Sequence, residues 1–344
     1  MPEGKLRPLI VPIFIPNQGC PHRCIFCEQE QITSHPSQPI DSAQVRSILD
    51  EAIRSKHFDL RKSREVAFYG GTFTRLPVKR MNELLETVGH YLERGFFQSV
   101  RISTRPDAID EKRLELMKGY RVLTVELGAQ SMDNDVLVLS KRGHSAEDTI
   151  NAVRLLREHG FRVGLQLMPG LPGDSKDKFY STIREIIRLN PDMVRLYPAV
   201  VLRGTELAQW HKEQRYIPLS LEGAVSICAE SCRRLEEAGI PVIRIGLMSS
   251  PSLLQKGQII AGPWHPAFGF LVRSHIYYKT MQTDLPGQGK ADRIRVRAPR
   301  REIPLLRGYQ NQGLRLLRKK TGANIIKIEP DDSIPSRHVK IETL

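Results

Sequence analysis

The chain has 344 residues, 40% of them apolar and 26% charged, with a formal net charge of +14. It has no run of 18 apolar residues and no apolar leader after Met1, so a cytoplasmic protein without a membrane span is expected, long enough for one large domain and an appendage. Five cysteines, three of them clustered, argue against a disulfide framework, and the charge points either to a polyanionic partner, with RNA or DNA first, or to a generally basic surface.

The apolar run Leu9–Ile15 reads as a buried strand, and Pro16-Asn-Gln-Gly19 as the turn that ends it. Cys20, Cys24 and Cys27 follow with spacing C-x3-C-x2-C. They lie at the carboxyl end of a strand, where α/β barrels and open α/β sheets place their chemistry. Three thiolates on one short loop can converge on one metal centre. A structural zinc site takes four ligands, and no fourth Cys or well-spaced His follows nearby. A four-iron cluster is normally held by four cysteines, so three would leave one iron open to a substrate or cofactor. Ordinary free cysteines sit singly in cores, whereas these are clustered with Gly, Pro, His and Arg. His22 is either a further ligand or a loop residue.

Alternating units follow. A helix over 41–57 is capped by Asp41 or Ser42. Strand 65–69 ends in Gly70-Gly71-Thr72-Phe73-Thr74, where a glycine pair either lets the backbone approach a ligand or makes a tight turn. Helix 77–93, strand 99–103, helix 110–118 and strand 122–126 come next. After Lys141-Arg142-Gly143-His144 the spacing predicts helix 146–158, strand 162–167 ending in Met168-Pro169-Gly170, helix 175–188 and strand 193–197. A helix over 220–238 stops at Gly239 before a strand at 241–245. Six strands fall between 9 and 198, and the unit around 241–245 departs from the pattern. Six is short of eight, so the fold class is α/β, a partial (β/α)6 TIM-like barrel whose polar or glycine-rich strand ends ring one active site. Cys228 and Cys232 share a helix face and read as core packing.

The expected organisation is a core over 1–245 with the cysteine loop at 20–27, a lid or linker region over 246–290 and a small basic α+β appendage over 291–344. Within 261–269 the turn-rich stretch is either a lid with His265 as a substrate contact or a structural turn around a packed Trp264. Residues 285–290 read as a linker. The appendage is predicted as strand 293–297, helix 305–320 and strands 324–328 and 338–342. Its basic residues, among them Arg293, Arg295, Arg297, Arg315, Arg318, Lys319 and Lys320, outnumber its acids, which suits an RNA backbone or a solvated basic face.

The cysteine spacing, with aromatic Phe26 just before the last cysteine, resembles the signature of the radical S-adenosylmethionine (SAM) enzymes. The resemblance implies that Cys20, Cys24 and Cys27 hold a 4Fe–4S cluster, that the fourth iron chelates the amino and carboxylate groups of SAM, and that Phe26 lies near the adenine. Further stretches, Ile102-Ser-Thr-Arg-Pro-Asp107, Val125-Glu-Leu-Gly-Ala-Gln-Ser131, Leu139-Ser-Lys-Arg-Gly-His144 and Tyr197-Pro-Ala-Val-Val-Leu-Arg-Gly-Thr-Glu206, are similar to the catalytic subunit of Elongator and its prokaryotic relatives. The similarity covers about residues 8 to 245. It implies that Gly70, Gly71 and Thr72 bind the amino group of SAM. Ser103, Glu126 and Gln130 become candidates for ribose and nearby polar contacts, Arg142 for the SAM carboxylate, and Met168 and Pro169 for the adenine wall. It names no catalytic residue outside the cofactor sites. An electron donor such as ferredoxin or flavodoxin is implied. Elongator-type enzymes carry an acetyltransferase-like domain after the core and an RNA-binding region before it, and neither is expected here. The function implied is reductive cleavage of SAM to a 5′-deoxyadenosyl radical for tRNA modification. Two alternatives stay open: a small-molecule enzyme resembling the oxygen-independent coproporphyrinogen oxidases, or a non-catalytic iron–sulfur RNA-binding protein.

Overall fold

A computed structural model describes residues 8–282, 285 and 292–344. The linker expected over 285–290 lies outside the described residues except for Leu285. Short apolar runs separated by amphipathic stretches fold in chain order as β1 Leu9–Ile15, α1 Gln29–Thr33, α2 Ser42–Arg54, β2 Arg64–Gly70, α3 Val78–Glu93, β3 Ser99–Thr104, α4 Glu111–Gly119, β4 Val122–Gln130, α5 Asn134–Leu139, α6 Ala146–Glu158, β5 Arg162–Leu167 and α7 Lys176–Leu189. Then come β6 Met193–Leu196, β7 Val201–Leu202, α8 Glu206–Lys212, α9 Leu221–Glu237, β8 Val242–Ile245 and β9 Ile259–Ala261. The helix starts carry the expected signals. Asp41 and Gln44 form a reciprocal capping box on α2, and Ser145 with Asp148 does the same on α6.

One sheet of order β1-β2-β3-β4-β5-β6-β8 is parallel throughout. Helices cover its strands, and Ile13, Ile15, Val66, Phe68, Val100, Ile102, Val163 and Leu196 are buried in it. The result is a curled half-barrel built from the six strands counted between 9 and 198 and the strand expected at 241–245. The seventh is β8, paired only with β6. It is the strand expected at 241–245, and its departure from the pattern has a physical reason: it is four residues long and exposes Ile243 and Arg244, so it lacks the continuous apolar run of a central strand. β7 and β9 make a separate antiparallel pair.

The expected boundary at 245/246 also moves. The described residues up to Ser220 and Leu235–Trp264 form one compact unit; Leu221–Arg234 and His265–Leu344 form another. Part of the stretch expected as lid or linker is instead a 15-residue helix, α10 Phe268–Gln282, in the second unit. That unit adds β10 Arg293–Ala298, α11 Ile303–Arg307, α12 Gln312–Thr321, β11 Ile325–Pro330 and β12 Lys340–Thr343. β10 lies in the middle, parallel to β11 and antiparallel to β12. Tyr277, Met281, Ile294, Val296, Leu306 and Leu317 form its core. The single helix predicted over 305–320 is broken because Gly308, Gln310 and Asn311 all take left-handed φ values, +69°, +48° and +60°. Cys228 and Cys232 are fully buried. Among the described residues no helix is long and apolar enough to cross a membrane.

Inside the half-barrel, Arg101 on β3 bridges Glu65 on β2 at 2.7 Å and Glu126 on β4 at 2.8 Å, all three nearly inaccessible. Removing the cation leaves buried Glu65 without its ion pair and takes one of two arginines from Glu126, which keeps Arg195. Arg101→Met is expected to cost about 3–5 kcal/mol, read as a drop in the urea unfolding midpoint.

Candidate active site

The loop after β1 is stitched to the turn after β2 by backbone. Gly71 N–H donates to Ile15 O at 2.9 Å, and Thr72 N–H to Gln18 O at 2.7 Å. A Cβ on Gly71 would lie 2.0 Å from Gln18 O, so the close approach requires glycine. The three cysteines line one cavity of about 450 Å³ with the turn residues Gly70, Gly71 and Thr72. Cys20 Sγ is 3.3 Å from Thr72 Oγ1. Cys24 Sγ accepts from Arg142 Nη1 at 2.9 Å, while Arg142 Nη2 donates to Gly128 O at 2.6 Å. Burial pushes the Cys20 thiol up, and burial with the neighbouring Cys24 and Cys20 sulfurs pushes Cys27 up to about 12. As free thiols these groups stay protonated, and bound iron is what would hold them as thiolates.

The remaining candidates divide. Phe26 and Met168 pack on one apolar cluster, with Val136, Leu171 and Ala199, and both face the cavity. Ser103, Gln130 and Arg142 also line it. Gln130 follows a register slip between β4 and β5 and has φ +66°, a bulge that turns its side chain toward the site. Its buried Oε1 and the buried Nε of Arg142 lack hydrogen-bond partners among the described residues, as expected of groups reserved for a ligand. Pro169 is off the wall, its carbonyl accepting from Ala199 N at 2.9 Å.

Glu126 is also off the wall, because its carboxylate is already occupied. It accepts from Tyr69 OH at 3.2 Å, Arg101 at 2.8 Å, Arg195 at 2.9 Å and Gln166 at 3.1 Å. Burial raises its proton affinity, but Arg195 and Arg101 outweigh that and hold the group below the usual carboxylate range. Glu126 therefore supports a polar floor made by Tyr69, Gln166, Arg195 and Tyr197, all of which reach the cavity. Sequence reasoning missed these four. The available signal was a polar residue inside a strand otherwise apolar, as in Met193-Val-Arg195-Leu-Tyr197 and Val163-Gly-Leu-Gln166-Leu. His265 belongs to the second unit, where its ring packs edge-on to Tyr309 at 4.9 Å and its Nδ1 accepts from Ala267 N. Trp264 packs against Val200, Leu202 and Leu253. His22 is a loop residue bonded to Lys141 O at 2.9 Å.

Among the described residues no three His, Cys, Asp or Glu side chains converge on a single-ion site. Three soft sulfur donors spread around one cavity suit a polynuclear iron–sulfur cluster, in which each sulfur binds a different iron. The model of the Radical SAM superfamily matches residues 14–186, half of the chain. The chain belongs to the radical SAM superfamily. It is an enzyme, and its cofactors are those of the family, a 4Fe–4S cluster and SAM. The model of the Radical SAM C-terminal domain matches residues 191–278. The tRNA uridine(34) acetyltransferase of Methanocaldococcus infernus is 43% identical over 129 residues, covering 37% of this chain and 24% of that protein. Human Elongator complex protein 3 is 25% identical over 280 residues, 67% of this chain and 51% of that protein. The solved structure of archaeal Methanocaldococcus infernus Elp3 with an N-terminal deletion superposes with a TM-score of 0.60 at 26% identity, covering 80% of this chain and 63% of that one. This radical SAM chain thus spans from 24% to 63% of the length of these relatives.

His144 stands behind Arg142, bonded through Nε2 to Ala129 O at 3.2 Å. Burial, then Arg142 and Arg105, push it down to about 4. A depressed histidine is neutral in the fold and charges first in the unfolded chain, so its contribution is complete above the unfolded pKa of about 6.5 and is lost as pH falls toward the folded value. The urea midpoint is expected to decline from pH 7 to pH 5, and to decline less in His144→Gln.

Proposed function

We propose that this chain reductively cleaves SAM and directs the resulting radical at a nucleoside of tRNA. The observation that carries the first half is one cavity holding three thiols, an arginine bonded to one of them and a glycine turn; among the described residues its walls carry four arginines (Arg105, Arg142, Arg195 and Arg244) and no Asp or Glu. The second half rests on the similarity to proteins named tRNA uridine(34) acetyltransferase and on the chain's basic charge.

Cys20, Cys24 and Cys27 would hold the cluster, and Arg142, Gly70, Gly71 and Thr72 would take the carboxylate and amino ends of SAM. When bound, the two cofactors supply one-electron cleavage of the sulfonium and a hydrogen-abstracting adenosyl radical. The chain's own part is to bind, orient and exclude water. Arg142 can accept a carboxylate because neither of its present bonds is to one: its partners are a sulfur and a backbone carbonyl. Phe26 and Met168 offer an apolar surface for adenine. Ser103, Gln130 and Gln166 offer hydroxyl-reading polar groups. Arg195 is clamped by Glu126 and Tyr69, so the floor presents a fixed guanidinium and two phenols to the substrate side.

Cys24→Ala is expected to lose most of its iron and to release no 5′-deoxyadenosine after anaerobic reconstitution and reduction; retained cleavage would refute the assignment of the loop. Arg142→Ala keeps the cluster and weakens SAM binding about 10- to 100-fold, the loss expected of a charge-assisted hydrogen bond, measured by equilibrium dialysis. Adding bulk tRNA to the wild-type enzyme is expected to raise 5′-deoxyadenosine release, followed by nucleoside mass spectrometry. Release indifferent to tRNA would instead place the substrate among small molecules.

A further inference from the structure

We infer that the outward face of α12 is a contact for the phosphate backbone of RNA, an inference that rests on the tRNA reading above. Residues 265–344 hold sixteen Lys and Arg against seven Asp and Glu, so a net +9 of the chain's +14 lies in its last 80 residues. The fold sorts these cations into two kinds. On the open face of the small sheet each acid is shared: Glu329 lies 3.3 Å from Arg295, 3.6 Å from Arg297 and 2.7 Å from Lys327. Glu342 lies 3.5 Å from each of the same arginines and 3.2 Å from Lys340. These cations already have counterions.

The helices differ. Arg315, Arg318 and Lys319 stand at i, i+3 and i+4 on the exposed side of α12, and Arg307 on α11 and Lys320 are exposed as well. None of the five has a carboxylate within 4 Å among the described residues, and Arg315 donates only to Gln310 O, at 2.7 Å. The opposite side of α12 buries Gly313, Leu317 and Thr321. Favourable interaction with the helix dipole accounts for cations in the last turn, which here means Arg318, Lys319 and Lys320. It does not account for Arg315 or Arg307, nor for the mutual repulsion of Arg315 and Lys319 one turn apart with no acid between them. A regularly spaced row of phosphates supplies the missing counterion, and spacing by one helical turn matches a charged polymer better than a single small anion.

The test uses the full-length reconstituted enzyme and the triple variant Arg315→Gln, Arg318→Gln, Lys319→Gln. Fluorescence anisotropy measures the Kd for bulk tRNA from 50 to 300 mM KCl. The variant is expected to bind at least tenfold more weakly at 100 mM, with the slope of log Kd against log[salt] smaller by about 2–3, since each lost phosphate contact removes about 0.7–0.9. Thermal unfolding of the variant, whose three changes are exposed, is expected to match the wild type. A slope and affinity equal to wild type, with tRNA-stimulated 5′-deoxyadenosine release intact, would overturn the inference and leave the tRNA reading standing. No tRNA binding by the wild type would overturn both. Loss of binding to phosphatidylserine vesicles with tRNA binding unchanged would assign the face to a membrane surface and overturn the inference.

Discussion

The site depends on a place where two backbones meet without side chains between them. Gly71 approaches Ile15 and Gln18 so closely that its N–H reaches Ile15 O at 2.9 Å while any Cβ would overlap Gln18 O. Gly19 makes the reciprocal approach, with φ +72° and a Cβ that would fall 2.2 Å from Thr72 O. The cysteine loop and the glycine turn are therefore one rigid object. Cys20 inherits its position from it through Thr72. A second tie, Arg142 between Cys24 Sγ and Gly128 O, fixes the middle thiol to the end of β4. Two short ties thus bring β1, β2 and β4 to one cavity, and each is made by atoms whose position follows from the strand ends.

Electrostatics complete the site by subtraction. Four arginines face the cavity, but their counterions are unequal. Arg195 is neutralised from below by Glu126 at 2.7 Å, and Arg105 by Asp107 at 2.8 Å. Arg142 has only a sulfur and a carbonyl, and Arg244 donates to Gly246 O at 3.2 Å. A buried cation without an acid is costly, and among the described residues the Arg142 guanidinium is held by a sulfur and a carbonyl alone. The acids that pair with these arginines stay off the walls: Glu126 sits under the floor and Asp107 in the turn after β3.

Much of this was legible. The cysteine spacing, the glycine pair, Arg142 and the alternating strands are local features, and local spacing survives folding. What escaped reading was set by the third dimension. Glu126 is a candidate by its motif, yet its carboxylate is taken up by Arg101, Arg195, Tyr69 and Gln166 and stays off the cavity wall that its ladder partner Ser103 lines. Arg195 lies outside every quoted motif and Tyr197 only opens one; both matter because β6 and the residue that follows it bring them to the cavity. In the tail, Gly308 has its Cα so close to the Tyr278 hydroxyl that a side chain could not fit, and the helix breaks there although the periodicity of its leucines runs straight through.

The count of strands bears on what the enzyme can accept. Among the described residues the sheet has seven strands, and its two edges, β1 and β8, have no further partner strand. Pro12 sits in the middle of β1, paired to Ala67 on one side only. Proline has no N–H to offer a further neighbour, so β1 can only be an edge. Pro12 thus suits the edge position that β1 holds. Ile10, Pro12 and Phe14 from one edge and Leu247 and Met248 beyond the other all line the cavity. The residues that the two edges contribute are therefore mostly apolar, with Arg244 on β8 the charged exception. A closed eight-stranded barrel would fill its interior with side chains. The open sheet instead leaves a cavity beside the cysteine loop at its strand ends, lined by residues of both edges.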